Sequence, residues 1–182
     1  MKSNYFFKKS RQIYRLFTIN NCVEHVWNDM LRFFKTNGFR FGQYENEKVV
    51  DIHFETKLSG SLMFKCNITD DKLIFRGLIL SAFDIDRTSD VLVLAAHFNA
   101  ILKHGRVSAS TEGNFVEFIY EGNLLTYLIS PDKIEHDFEV HFNITTDCIW
   151  AFKSMIQSGD NPVFVISQLL EQKENVSKID NN

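Results

Sequence analysis

Proline and cysteine are scarce in this chain of 182 residues, with 2 and 3 copies. Few prolines leave room for long, uninterrupted strands and helices. Cys22, Cys66 and Cys148 are odd in number and widely spaced, which makes a poor disulfide framework. No C-x-x-C pair occurs, so zinc-ribbon and dithiol redox chemistry lack their motif. Three reduced thiols fit a cytoplasmic location. No apolar run approaches the roughly 18 residues of a membrane span. The first residues lack a continuous apolar core and an A-x-A-like cleavage site, so a secretory signal is not expected. G-x-S-x-G, G-x-G-x-x-G and Walker A patterns are also missing, which removes the usual motifs for acyl transfer and nucleotide binding.

Apolar mass is plentiful. Hydrophobic residues make up 45 % of the chain, and 18 residues are Phe. That supply is enough for a core and excludes disorder for the bulk of the chain. The net charge of −3 gives no global case for nucleic acid, but it is a sum of unlike parts. Residues 1–21 carry five basic side chains (Lys2, Lys8, Lys9, Arg11, Arg15) and no acid, so the remainder stands at −8. At helical spacing Phe6, Ser10, Ile13 and Phe17 share one side, and Lys8, Arg11 and Arg15 the other. Two readings follow. The segment packs its apolar stripe on its own domain, or it docks on an anionic surface. Phe6, Phe7, Lys8, Arg11 and Arg15 are therefore the candidate interaction residues of this extension.

The remaining elements follow from periodicity. Val23, Val26, Trp27, Met30, Leu31 and Phe34 predict a helix over 22–36, capped by Asn20 or Asn21 and closed by Gly38. Runs at 39–44, 48–56, 61–68 and 72–80 predict an antiparallel meander, joined by short polar turns. A wide apolar stripe (Val91, Leu94, Ala95, Phe98 and Leu102, widened by Leu92, Ala96 and Ile101) predicts a buried helix over 89–104 laid across that sheet. Strands are expected at 106–111 and 114–121 around a turn at Glu112–Asn114, and again at 124–130. Residues 137–144 fit both periods: Phe138, Val140, Phe142 and Ile144 alternate, while Ile134, Phe138, Phe142, Thr145, Ile149 and Phe152 follow a helical spacing. The strand is chosen, because Thr145 and Thr146 then cap a helix over 146–157. Gly159 ends that helix, and Asp160 or Asn161 caps the last one, with Pro162 at its first position and Val163, Ile166, Leu169 and Leu170 facing inward. The expected organisation is a basic, aromatic, helical extension over 1–20, a single α+β domain over 21–172 and a flexible tail over 173–182. Runs of strands and helices segregated in this way read as an antiparallel sheet with helices packed on one side.

Chemistry-bearing groups do not converge. His136 and His141 would point apart on a strand or a helix, and His97 and His104 would lie about 10 Å apart along one helix. Cys66 and Cys148 read as core; Cys22, beside a helix start, is the one thiol worth a test of reactivity. Asp70 with Asp71, and Asp84 with Asp86, sit in turns. Phe39, Phe41 and Tyr44 read as sheet packing in preference to a base-stacking platform, since the body of the chain is acidic. Asn99, within an apolar helix, is read as tying the helix to a strand end or as lining a ligand pocket. No catalytic, cofactor or metal residue is assigned.

The stretches DDKLIFRGLI, SDVLVLAAHFNAILKHG, RVSAS, NFVEFIYEG and NITTDCIWAFKSMI, in that order from Asp71 to about Ile166, resemble the YbjN-like family of bacterial sensory transduction regulators. Residues 22–68 match its outline in order and length, whereas 121–143 look like an insertion. The resemblance implies a fold similar to type III secretion chaperones, often dimeric. It also implies a bacterial, cytoplasmic, non-enzymatic protein that acts by binding another protein. The expected function is a regulatory or chaperone-like interaction module, with an unnamed protein partner and a homodimer as the expected assemblies. The alternative is a small apolar ligand carrier or sensor with a pocket between sheet and helices.

Overall fold

A helix of three- and four-residue apolar spacing, α1 (Cys22–Thr36), opens the part of the chain that the computed structural model describes, residues 21–56 and 60–179. The basic extension, with Phe6, Phe7, Lys8, Arg11 and Arg15, lies outside the described residues. Four strands follow: β1 (Phe41–Tyr44), β2 (Val49–Thr56), β3 (Gly60–Ile68) and β4 (Lys72–Leu80). A 3-10 turn (Ile85–Arg87) leads into α2 (Thr88–Ile101), then β5 (Arg106–Ser110), β6 (Phe115–Asn123), α3 (Leu124–Ile129), α4 (Asp132–Ser158) and α5 (Pro162–Ile179). The fold is α+β. Its six-stranded antiparallel sheet runs β1-β2-β3-β4-β6-β5, a meander whose last hairpin returns so that β6 pairs with β4 and β5 forms the edge.

By their contacts the described residues form two units. The first takes the chain to Phe54, Met63–Phe75 and Glu121–Val140; the second takes Glu55–Leu62, Arg76–Tyr120 and the chain from His141.

In the first unit α1 ends on Gly38 at φ +71°, a left-handed conformation that suits glycine. α1 packs on α3 and buries Val26, Trp27, Met30 and Phe34. Lys48, also left-handed at φ 52°, returns to α1: its ammonium pairs with Glu24 at 2.7 Å and lies 5.3 Å from the Trp27 ring centroid. Along β3, Phe64 and Cys66 are buried while Met63 and Lys65 are exposed, so one face of the strand is dry and the other wet. The aromatic surplus gathers around Phe138, whose ring meets Phe33, Phe34, Phe39, Phe54, Phe64 and Phe75 at centroid distances from 5.3 to 6.4 Å. Tilted and edge-on pairs of this kind add to plain burial.

Two strands expected from the sequence are helices. At 124–130, Leu124, Tyr127 and Leu128 are buried and Leu125 and Ile129 exposed, a helical spacing; Asn123 Oδ1 caps α3 by accepting from the Leu125 amide at 3.0 Å. Residues 137–144 belong to the 27-residue α4. Its buried positions (Ile134, Asp137, Phe138, His141, Thr145, Cys148, Ile149, Ala151, Phe152, Met155) recur at three- and four-residue steps, so the helical period prevails over alternation. Thr145 and Thr146 do not cap; their hydroxyls donate to the carbonyls of His141 and Phe142, one helical turn back.

In the second unit α2 packs on β5 and α5, and Phe98 stacks on Phe152 at 6.0 Å and 14°. Gly77 leaves room for Thr145, since a Cβ there would lie 2.4 Å from its hydroxyl. Asn161 Oδ1 caps α5 through the Val163 amide, with Pro162 in the first position as expected. α5 continues to Ile179. Its inward residues are Val165, Ile166 and Leu169, whereas Val163 and Leu170 face out, a correction to the expected face.

Candidate interaction surface

α2 is short of charge. Thr88–Ile101 contains one acid, Asp90, and no Lys or Arg. A helix that is apolar on all sides is ordinarily enclosed. Here one side only is covered: Val91, Leu94, Ala95 and Phe98 are buried, but Leu92 and Val93 are each 44 % exposed and Ile101 46 %. Ser89, Ala96 and Ala100 are exposed too. At 100° per residue Ser89, Leu92, Val93, Ala96 and Ala100 fall on one face. The expected burial therefore holds for one side of the helix and fails for the widening residues Leu92, Ala96 and Ile101, and the helix is shorter than expected. The helix ends at Ile101, with Leu102 in extended backbone and Gly105 at φ +75°. His104 consequently leaves the helix that carries His97, and stands edge-on to Tyr120.

α5, packed on α2, repeats the pattern. Val163 and Phe164 are about half exposed and Leu170 is 42 % exposed, with the small Ser167 between them. Ile85, just before α2, is the most open of the large apolar residues described, at 76 %. Several charges of this unit are paired. Arg87 pairs with Asp90 at 3.1 Å and donates to the Met155 carbonyl at 2.8 Å, which fixes the start of α2 to α4. Lys173 of α5 pairs with Asp147 of α4. Arg76 of β4 pairs with Glu117 of β6 at 2.7 Å. Apart from Asn99, the exposed residues of α2 and of α5 up to Glu171 are apolar or small. Apolar exposure of this kind on two packed helices makes their outer sides the candidate interaction surface.

The other candidates resolve into structure. Burial pushes the Cys22 thiol up, so its place at the start of α1 does not make it a thiolate. Burial also raises Cys66, reinforced by the Asp51 carboxylate, and Cys148, reinforced by Asp147 against an opposing effect of Lys173. All three are free thiols. His136 is exposed and His141 buried, with its Nε2 3.2 Å from the Phe118 carbonyl. Among the described residues no three His, Cys, Asp or Glu side chains gather as a metal site. Asp71 accepts from the Thr69 hydroxyl at 3.4 Å in the β3–β4 turn, and the Asp84 carbonyl accepts from the Arg87 amide in the 3-10 turn. Phe39 and Phe41 pack on Phe34, and only Tyr44 is open, at 52 %. Asn99 does tie its helix to a strand, binding Val107 through both the amide and the carbonyl.

Sequence reasoning missed the α2–α5 face because a wide apolar stripe reads as deep burial. The usable signal was that small residues (Ser89, Ala96, Ala100, Ser167) share the arc with Leu92, Val93, Val163 and Phe164. Among the described residues, no helix is long and apolar enough to cross a membrane. No protein-family model matches the chain, and no curated protein matches it significantly.

Proposed function

We propose that the chain is a non-enzymatic, regulatory or chaperone-like module that binds another protein through the outer sides of α2 and α5. One observation carries this reading: α2 holds a single acid and no Lys or Arg, yet leaves Leu92, Val93 and Ile101 partly in solvent. Leaving that area exposed forgoes roughly 25 cal/mol per Å², a loss that a partner recovers. The resemblance to YbjN-like sensory transduction regulators of the bacterial cytoplasm supports the same conclusion. The partner is a protein that offers an apolar, uncharged surface such as one face of a helix. A second copy of the chain meets that description, because the face sets no like charges against its own image.

Affinity capture from the native cell tests this. The unaltered chain is expected to retain a specific partner, or a second, differently tagged copy. The Leu92→Glu/Phe164→Glu variant, folded by circular dichroism, should lose it. Equal capture by both proteins would refute the assignment.

A further inference from the structure

Among the described residues β5 closes the sheet and pairs on one side only, with β6. In an antiparallel pair, opposite residues alternate between exchanging two backbone hydrogen bonds and exchanging none. Val107 stands opposite Phe118. Its amide donates to Asn99 Oδ1 at 2.7 Å, and its carbonyl accepts from Asn99 Nδ2 at 3.0 Å. Val107 is thus a non-exchanging residue, with both polar backbone groups turned away from β6. By the same alternation Ala109, opposite Val116, turns its own outward, while Arg106, Ser108 and Ser110 turn theirs to β6.

A carboxamide offers a donor and an acceptor side by side, as a peptide group does. Asn99 therefore meets Val107 as an added strand would. Asn99 is itself exposed, so water could satisfy its amide; the group that gains from the double bond is the strand edge. Outward-facing backbone groups on an edge strand are a template for another strand, and proteins cover them.

We propose that Asn99 is an edge guard, which occupies the outward groups of Val107 and so keeps β5 from pairing with β5 of a second copy. The strand's own pattern identifies the excluded occupant. Two copies placed antiparallel about Ser108 set Val107 of each opposite Ala109 of the other, the two residues whose backbone groups face out. Each Arg106 then meets Ser110, so no like charges oppose. This inference does not depend on the α2–α5 face.

The test is Asn99→Ala in the full chain, followed by sedimentation velocity across a broad concentration range. The variant is expected to associate reversibly beyond the unaltered chain. Adding Ala109→Pro should abolish the excess, since it removes an outward amide without touching the β6 ladder. If Asn99→Ala does not fold, Asn99→Ser, too short to span both Val107 atoms, carries the same prediction. Hydrogen exchange at low concentration gives a second reading: the Val107 amide should exchange about tenfold faster once the Asn99 bond is lost. A folded variant that sediments as the unaltered chain does overturns the proposal. So does association that persists with Ala109→Pro, or a Val107 amide that stays slow.

Discussion

The Tyr127 hydroxyl donates a 2.8 Å hydrogen bond to Asp137, and Lys133 donates to the other oxygen of the same carboxylate, also at 2.8 Å. Tyr127 is fully buried and Asp137 nearly so. The phenol fits only because residue 122 is glycine: a Cβ there would stand 2.0 Å from the Tyr127 oxygen. The last residues of β6, helix α3 and the first turns of α4 are joined at this point.

Replacing Asp137 with Ala should therefore cost about 1–3 kcal/mol, the penalty of stranding a buried donor. Asp137→Asn keeps an acceptor for Tyr127 and should cost less. Urea denaturation of the two variants measures the difference. Equal midpoints for Asp137→Ala and the unaltered chain would mean that the hydroxyl is satisfied another way.

Phe138 should be among the most sensitive apolar positions. Its ring touches six other phenylalanines. Truncation to Ala removes the centre of that cluster, at a cost of about 3–5 kcal/mol. Phe164→Ala, on the open side of α5, should change the thermal midpoint little. Thermal melts of the pair decide whether the Phe138 cluster or the α5 surface holds the fold.

The thiols predict a pH dependence. Burial raises Cys66 and Cys148 in the folded chain. A group whose folded pKa lies above its unfolded value contributes stability below the unfolded value and loses it as pH rises. Stability should therefore fall as pH climbs through and beyond the ordinary thiol range, about 8.5, and Cys66→Ala/Cys148→Ala should flatten that slope. A thiol-specific reagent should reach Cys22 in the folded chain, and Cys66 and Cys148 only after unfolding. Denaturation midpoints across pH and reagent counting check both statements.

Much of the fold is legible in the sequence where one period stands alone. Val26, Met30 and Phe34 in α1, and the alternation of Leu62, Phe64 and Cys66 in β3, each fit a single periodicity. Residues 124–130 and 137–144 fail for the opposite reason. LLTYLI is too short to separate strand from helix, and Phe138, Val140, Phe142 and Ile144 alternate by coincidence within a helical run. Burial settles the second case: Phe138 and His141 are enclosed, while Val140, Phe142 and Ile144 are only partly so. The Asn99 tie was legible as one alternative, since an amide in an apolar helix needs partners. The open face of α2 was not, because apolar content reports what a helix could bury and not what covers it.

That face is best tested by a photo-crosslinking amino acid placed at Leu92 in the living cell, with His53, exposed on β2, as the control position. A discrete protein adduct at position 92 that is missing at position 53 is the expected result. No adduct at 92, or the same adducts at both positions, would contradict the assignment of α2 as an interaction surface.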